Sequence, residues 1–478
     1  MHRMSLTVAL LLTALVVCPA ASIASQPPDP QPPTEEPVPD NQVEEPEIQE
    51  VQPVELTEAE RRPFRGQFGG ARPYSHREPG LDLTLSAIGG FDNPINYDVA
   101  GQTDRFAIEG PFAGTSASLS YLRFSDVWPV SAFGSGFIGY FPENEENPWY
   151  PSGSAAVTTS RAFSFGSSTR LTLSLYETYA SDQQLFGMIG LSPTDIPVAG
   201  DTAGFDNSLK RAPALTSAPS VTLQRRFGSQ ATLQAFYRYS HVHYLDSDQR
   251  AEGYKDRQDQ VAGVGYTRRV TRHLAVRGGY AYRRSELLDA DQGVFELHDL
   301  DLGVDYGRAI SLSRRTHLTF RTGTALTAEM PVNANDSVVD DTRFFVVGGA
   351  TLTHEIGRSW RAYADYARDV GYENGFVQPV LRDGARVGLG GLLSRSTDFA
   401  SQLAYISGSF GFDDRNYETL LGTVQVRKAL TENLALYGHY YYYWQDFGED
   451  VLVPTGVIRD VERQGVRFGL TAWIPLKQ

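Results

Sequence analysis

From about Leu81 to Ile474 the chain alternates polar and apolar residues in short stretches that recur with an even rhythm. In 273–284 (HLAVRGGYAYRR), Leu274, Val276, Gly278, Tyr280 and Tyr282 share one parity, while Arg277 and Arg283 share the other. In 463–474 (RQGVRFGLTAWI), Val466, Phe468, Leu470, Ala472 and Ile474 stand against Arg467 and Thr471. Successive side chains of an extended strand point to opposite faces, so each stretch has one greasy face and one wet face. The same pattern fits 81–91, 114–124, 130–141, 154–165, 169–180, 218–228, 230–241, 259–269, 273–284, 295–307, 315–327, 343–355, 358–369, 384–394, 397–409, 418–428, 432–444 and 463–474. The gaps alternate: 92–113, 181–217 and 445–462 are long, whereas 125–129, 229 and 429–431 are tight. An even set of matched strands, with long loops at one rim and short turns at the other, predicts an all-β fold. The expected architecture is a transmembrane antiparallel up-and-down β-barrel of about 18 strands, with lipid outside. A soluble sandwich or propeller would share the alternation but would not need so many consecutive hairpins of matched length.

Composition changes the picture mainly at the N-terminus. Aromatics make up 12% of the 478 residues, there are 45 glycines, and the mean hydropathy is only -0.31. No apolar run approaches the roughly 20 residues of a spanning helix, so membrane residence has to come from strands. The start, MHRMSLTVALLLTALVVCPAASIAS, has Arg3, an apolar core from Leu6 to Val17, and small residues Ser22 and Ala24. It reads as a signal peptide over 1–25, cleaved before Ser25 and too short to span. The single cysteine, Cys18, lies inside it, so the mature chain has no thiol for disulfides. Val17 before it and Pro19 after it do not suit a lipoprotein signal.

Residues 26–60 are rich in Pro and Glu and carry no Lys or Arg, so most of the net charge of -15 resides there. Such a segment cannot offset chain entropy by burial and is expected to be disordered, extended and periplasmic. A solvated spacer is the plain reading, and a docking tail for a periplasmic partner is the functional one. Residues 61–79 turn basic and aromatic and read as a connector, so 26–79 precedes a barrel over 80–478. With the acidity concentrated in the tail, nothing points to nucleic acid.

Turn-plus-strand units such as VGYTRRVTRHLAVRGGYAY, LGVDYGRAISLSRRTHLTF, LTHEIGRSWRAYADY and VQVRKALTENLALYGHYYYY, with the closing VERQGVRFGLTAWIPL, carry a resemblance. The chain resembles outer-membrane proteins of the β-barrel porin type, including barrels associated with exopolysaccharide export. The resemblance covers most of 80–478. It implies a Gram-negative outer membrane, insertion by the barrel-assembly machinery, contact with outer-membrane lipid, and transport rather than catalysis. The last strand departs from many such barrels by ending in Pro475-Leu476-Lys477-Gln478 rather than a terminal aromatic.

A barrel of this size has room for an aqueous lumen, so function is expected in the inward row and in any loop that narrows it. Opposite the apolar rows stand Arg226, Arg238, Arg277, Arg321, Arg361, Arg386, Arg427 and Arg467, with Asp299, Asp301, Asp305 and Asp365 among them. Such a wall is net basic and would favour anions, unless the arginines are spent on ion pairs with wall carboxylates. In porin-like proteins the third outer loop often folds inward. Here 181–217 offers Asp195, Asp201, Asp206, Lys210 and Arg211 for a constriction, with a plain surface loop as the alternative. Trp360, Tyr440, Tyr442 and Trp444 suit the headgroup level, where a ring can be half buried. Trp473 shares the parity of Arg467 and is left out of that girdle. His241 and His243 lie two apart on one strand face, but no third ligand has a recognisable spacing, so no metal is expected. No nucleophile elbow, paired-carboxylate motif or phosphate loop is found, so neither an enzyme nor a cofactor is expected. The expected function is passive diffusion of small hydrophilic, anionic solutes. The alternatives are export of exopolysaccharide and a structural or adhesive barrel.

Overall fold

The computed structural model describes residues 80–477 apart from 100–109, 124, 126–127, 144–147, 181–212, 246–255, 289–293, 311–314, 329–341, 373–378, 411–415, 449–450 and 452–457, with only the backbone at some strand ends. The signal segment 1–25, the tail and connector 26–79, and Asp195, Asp201, Asp206, Lys210 and Arg211 of the expected constriction lie outside the described residues.

The strands are β1 (Gly80–Val99), β2 (Gly110–Arg123), β3 (Val130–Tyr140), β4 (Trp149–Phe165), β5 (Thr169–Ala180), β6 (Ala214–Ser217, continuing as Ser220–Phe227), β7 (Ala231–Tyr244), β8 (Arg257–Arg269) and β9 (Leu274–Leu287). They continue as β10 (Val294–Ala309), β11 (Thr316–Ala328), β12 (Thr342–Ile356), β13 (Trp360–Tyr372), β14 (Pro379–Ser394), β15 (Thr397–Phe410), β16 (Asn416–Ala429), β17 (Leu434–Phe447) and β18 (Ile458–Lys477). β6 is one strand interrupted at Pro219, which has no N–H for the ladder. Both of its parts lie between β5 and β7, and Ala218 exchanges backbone bonds with Tyr176 across the break.

Every strand pairs antiparallel with its neighbours in sequence, and β1 pairs with β18 to close an 18-stranded ring. Closure removes the edges, so no row of backbone N–H and C=O groups is left to meet hydrocarbon. Among the described residues no helix is long and apolar enough to cross a membrane. All 18 expected strands are present, but many run further toward the long loops than the polarity pattern indicates. β1 continues to Val99 and β18 begins at Ile458, through Asp92, Asn93, Asn96 and Glu462. The ladder needs only backbone partners, so paired strands propagate past the end of the apolar row.

Two kinds of short turn recur. In the first, Gly166, Gly228 and Gly357 sit at φ +67, +62 and +66, each after an apolar residue that ends a strand. Glycine adopts that left-handed backbone without the Cβ penalty. In the second, the N–H groups of Val270 and Thr271 both donate to Leu274 O, and those of Leu430 and Thr431 both donate to Leu434 O. The Thr271 and Thr431 hydroxyls accept from the His273 and Asn433 N–H groups, at 3.2 Å in each case. A Thr side chain closing its own turn is the local signal that TRHL and TENL share.

The register assigns the faces. Phe468 is 64% exposed, Phe344 and Val346 61%, and Leu302 58%. They belong to an apolar row that runs round the outside of the wall. Burying surface of this kind is worth roughly 25 cal/mol per Å², so a continuous apolar exterior belongs in lipid.

Candidate functional site

The inward face divides into two sectors. From β2 to β5 it carries small hydroxyls: Ser116, Ser118 and Ser120 on β2, Ser131 and Ser135 on β3, Ser152 and Ser154 on β4, and Thr172 and Ser174 on β5. Ser135 and Ser154 hydroxyls bond across the strands at 2.8 Å. These hydroxyls are not among the expected lining residues, although the alternation in TSASLS and PSGSAAVTTS signals them.

From β9 to β18 the inward face carries arginines and aspartates. Six of the eight expected arginines and all four expected aspartates fall on inward positions there, and Arg226 on β6 and Arg238 on β7 are inward as well. Arg277 is the most connected. Its guanidinium bonds Asp301 (Nε to Oδ2, 2.5 Å; Nη2 to Oδ1, 3.0 Å), Asp305 (Nη1 to Oδ1, 2.5 Å) and the carbonyl of Thr322 (2.7 Å). The β10–β11 ladder pairs His298 with Leu326 and resumes only at Asp305 with Arg321, so β10 has two residues more than β11 in between. Arg277 reaches Thr322 O in that interval and donates to the strand where the ladder is interrupted. Arg386 pairs with Asp365 at 2.9 Å, and Arg427 pairs with Asp398 at 2.8 Å. Arg283 approaches Asp299 at 3.9 Å, and Arg361 stands opposite Glu355 in the ladder. Arg382, outside the expected set, pairs with Asp369 at 2.7 Å.

Arg467 is 1% exposed, lying over Tyr441 at 4.8 Å and Phe112 at 5.6 Å. Its carboxylate neighbour is Asp92 on β1, at 3.8 Å, which also takes the fork of Arg463 (Nε to Oδ1, 2.7 Å). A buried Arg–Asp–Arg set therefore joins the first and last strands. Ser86 and Thr471 add a hydroxyl bond at 3.0 Å on the same seam. Asp92 and Arg463 lie at or beyond the ends of the apolar stretches and are recognisable only through strand pairing.

The remaining arginines differ. Arg238 lies over the Phe236 ring at 5.0 Å, whereas Arg226 and Arg321 make no ion pair among the described residues. Arg321 lines a cavity of about 520 Å³ together with Arg277, Asp301, Asp305 and Asp365. Opposed charges and a guanidinium without an ion pair on one polar wall are suited to transient contact with solutes.

Inward aromatic rings thicken the wall elsewhere. Tyr363, Tyr417, Tyr437 and Tyr441 each lie over the glycine paired with them, respectively Gly388, Gly408, Gly469 and Gly465. Tyr417 and Tyr441 are fully buried. A ring laid on a glycine covers backbone that has no side chain of its own, the device called aromatic rescue.

On the outer face, Trp360, Tyr440, Tyr442 and Trp444 occupy outward positions. The Tyr440 hydroxyl donates to Gln464 at 3.1 Å and the Tyr442 hydroxyl to Glu462 at 2.9 Å, while Trp360 packs 5.8 Å from Phe399. Trp360 follows a short turn and Trp444 approaches a long loop, so they lie at opposite rims. Trp149, 56% exposed and 5.0 Å from Tyr140, adds an outward pair at the long-loop rim.

The sealed ladder, apolar exterior and polar interior occur together in one ring. The architecture is that of a closed 18-stranded antiparallel transmembrane β-barrel. No family model matches the sequence, and no curated protein matches it. Among solved structures it is similar to OccAB4 of Acinetobacter baumannii, at 12% identity over 85% of this chain and 100% of that one, TM-score 0.38. OccK7 (OpdD) of Pseudomonas aeruginosa gives 12% over 84% and 99%, TM-score 0.39. The FrpB iron transporter of Neisseria meningitidis gives 10% over 83% and 81%, TM-score 0.39. Similarity of this extent assigns neither substrate nor activity.

Proposed function

We propose that the barrel is a passive outer-membrane channel for small hydrophilic solutes, with a preference for anions. The observation that carries this reading is the inward row: hydroxyls on one sector, ion-paired arginines on the other, and Arg226 and Arg321 without ion pairs among the described residues. An 18-stranded ring is in the size class that holds an aqueous channel. Most inward arginines are matched by aspartates, so the preference for anions is expected to be modest and to come from Arg226, Arg238 and Arg321. We infer that the segment preceding β6, through Asp195, Asp201 and Asp206 set against Lys210 and Arg211, supplies the constriction. The acidic tail 26–60 stays in the periplasm and docks a partner there.

Planar-bilayer recording tests this reading. Steady conductance from purified protein, with a reversal potential favouring anions in a salt gradient, is the expected result. A barrel that never conducts would overturn it in favour of polysaccharide export or adhesion.

A further inference from the structure

The structure brings together a ligand set that the sequence does not reveal. His241 and His243 continue the outward row of β7 after Leu233 and Tyr237. Asp256 stands at the start of β8, and one ligand atom from each of the three residues lies within 4.8 Å of the other two. Asp256 is 6% exposed. One carboxylate oxygen accepts the Tyr244 backbone N–H at 2.8 Å, and the other lies 2.6 Å from His243 Nδ1. The rings of His241 and His243 are 6.1 Å apart, and His241 Nε2 is buried with no hydrogen-bond partner among the described residues. On the inward side Val242 and Tyr244 pack with Ala214, which fixes the strand that carries both imidazoles. The outward neighbours at this height are Gln258, Gln260, Arg284 and Glu286 rather than aliphatic residues, so the cluster stands above the apolar belt.

We propose that His241, His243 and Asp256 bind one borderline divalent transition-metal ion of the Zn²⁺ class on the outer face of the wall. Two imidazoles and one carboxylate select such an ion over Ca²⁺ or Mg²⁺, which take oxygen ligands. Three protein ligands leave a fourth position for water or an anionic headgroup oxygen. The ion would tie the end of β7 to the start of β8 across the loop between them. The Asp256–Tyr244 bond would hold the carboxylate in place, as outer-shell partners do.

The test uses the mature chain in detergent, free of any oligohistidine tag, titrated with Zn²⁺ and separately with Co²⁺. The expected result is one saturable equivalent of Zn²⁺, Co²⁺ that develops visible d–d absorption and is displaced by Zn²⁺, and no competition from excess Ca²⁺. His241→Ala and His243→Ala should each weaken Zn²⁺ binding beyond the roughly 10- to 100-fold typical of outer-shell changes. Asp256→Asn should do the same. Should Asp256→Asn fail to assemble, His241→Ala still decides, because its Nε2 supports no bond among the described residues. Absence of saturable Zn²⁺ binding to the wild type, or binding unchanged in the His241→Ala/His243→Ala double variant, overturns the proposal.

Discussion

At the scale of single residues, the inward arginines separate into those ion-paired within the wall and those, Arg226 and Arg321, without an ion pair among the described residues. Asp92 holds two guanidiniums at the closing seam while itself 0% exposed. Removing one partner of a buried ionic set costs about 3–5 kcal/mol, because the remaining charge is stranded. Asp92→Ala is therefore expected to destabilise the barrel by that order, read as a lower midpoint in urea unfolding of the lipid- or detergent-bound protein. Arg277 belongs to the same class, since it bonds two aspartates and a carbonyl beside an interrupted ladder. Arg277→Glu would disturb assembly as well as charge, which makes it a poor probe of selectivity. Arg226→Glu and Arg321→Glu are cleaner. Together they should shift the reversal potential toward cations with the heat-modified gel migration unchanged, and an unaltered potential would remove these two residues from the permeation path.

At the scale of elements, strands are readable because period two is a local property of the sequence. Turns are readable where glycine or threonine marks them. Gly228 sits at φ +62 with nothing within 4 Å of where a Cβ would stand, so its cost on substitution is backbone alone. Gly228→Ala should lose about 1–2 kcal/mol. Gly465→Val should lose more, because its Cβ would lie 2.5 Å from the Tyr441 ring. Comparative unfolding of the two variants checks that order, and equal losses would mean that the ring moves aside freely. Neither the Tyr441–Gly465 stacking nor the two-residue offset between β10 and β11 can be read from sequence. Both depend on register between strands, which the alternation within one strand does not encode. The segment before Pro219 shows the converse: 214–217 falls in the long gap 181–217 of the polarity pattern, yet it is a strand, because ladders from the neighbours on both sides carry β6 back past the proline.

At the scale of the whole barrel, the outward row is the lipid contact and the inward row is the lumen. Arginine placed on the lipid face at mid-membrane costs about 2–4 kcal/mol. Phe468→Arg, at an outward position, should therefore lower refolding yield into vesicles, while Thr471→Arg on the inward face of the same strand tests packing at the seam instead. Equal effects in a series of such pairs would contradict the assignment of faces.

The sequence by itself determined the strand count, the two-faced wall, the alternation of long loops with short turns, and the inward parity of each arginine. All of these follow from local periodicity and from residues that close their own turns. Tertiary structure alone decided which charges meet. Asp92 reaches Arg463 across 371 residues, Arg277 meets Asp301 and Asp305, and Asp256 joins His241 and His243. The same is true of the hydroxyl-lined sector, which exists only once β2 to β5 stand side by side. Electrostatic contacts act over a few ångströms of space whatever the separation along the chain, and only closure of the ring supplies that proximity.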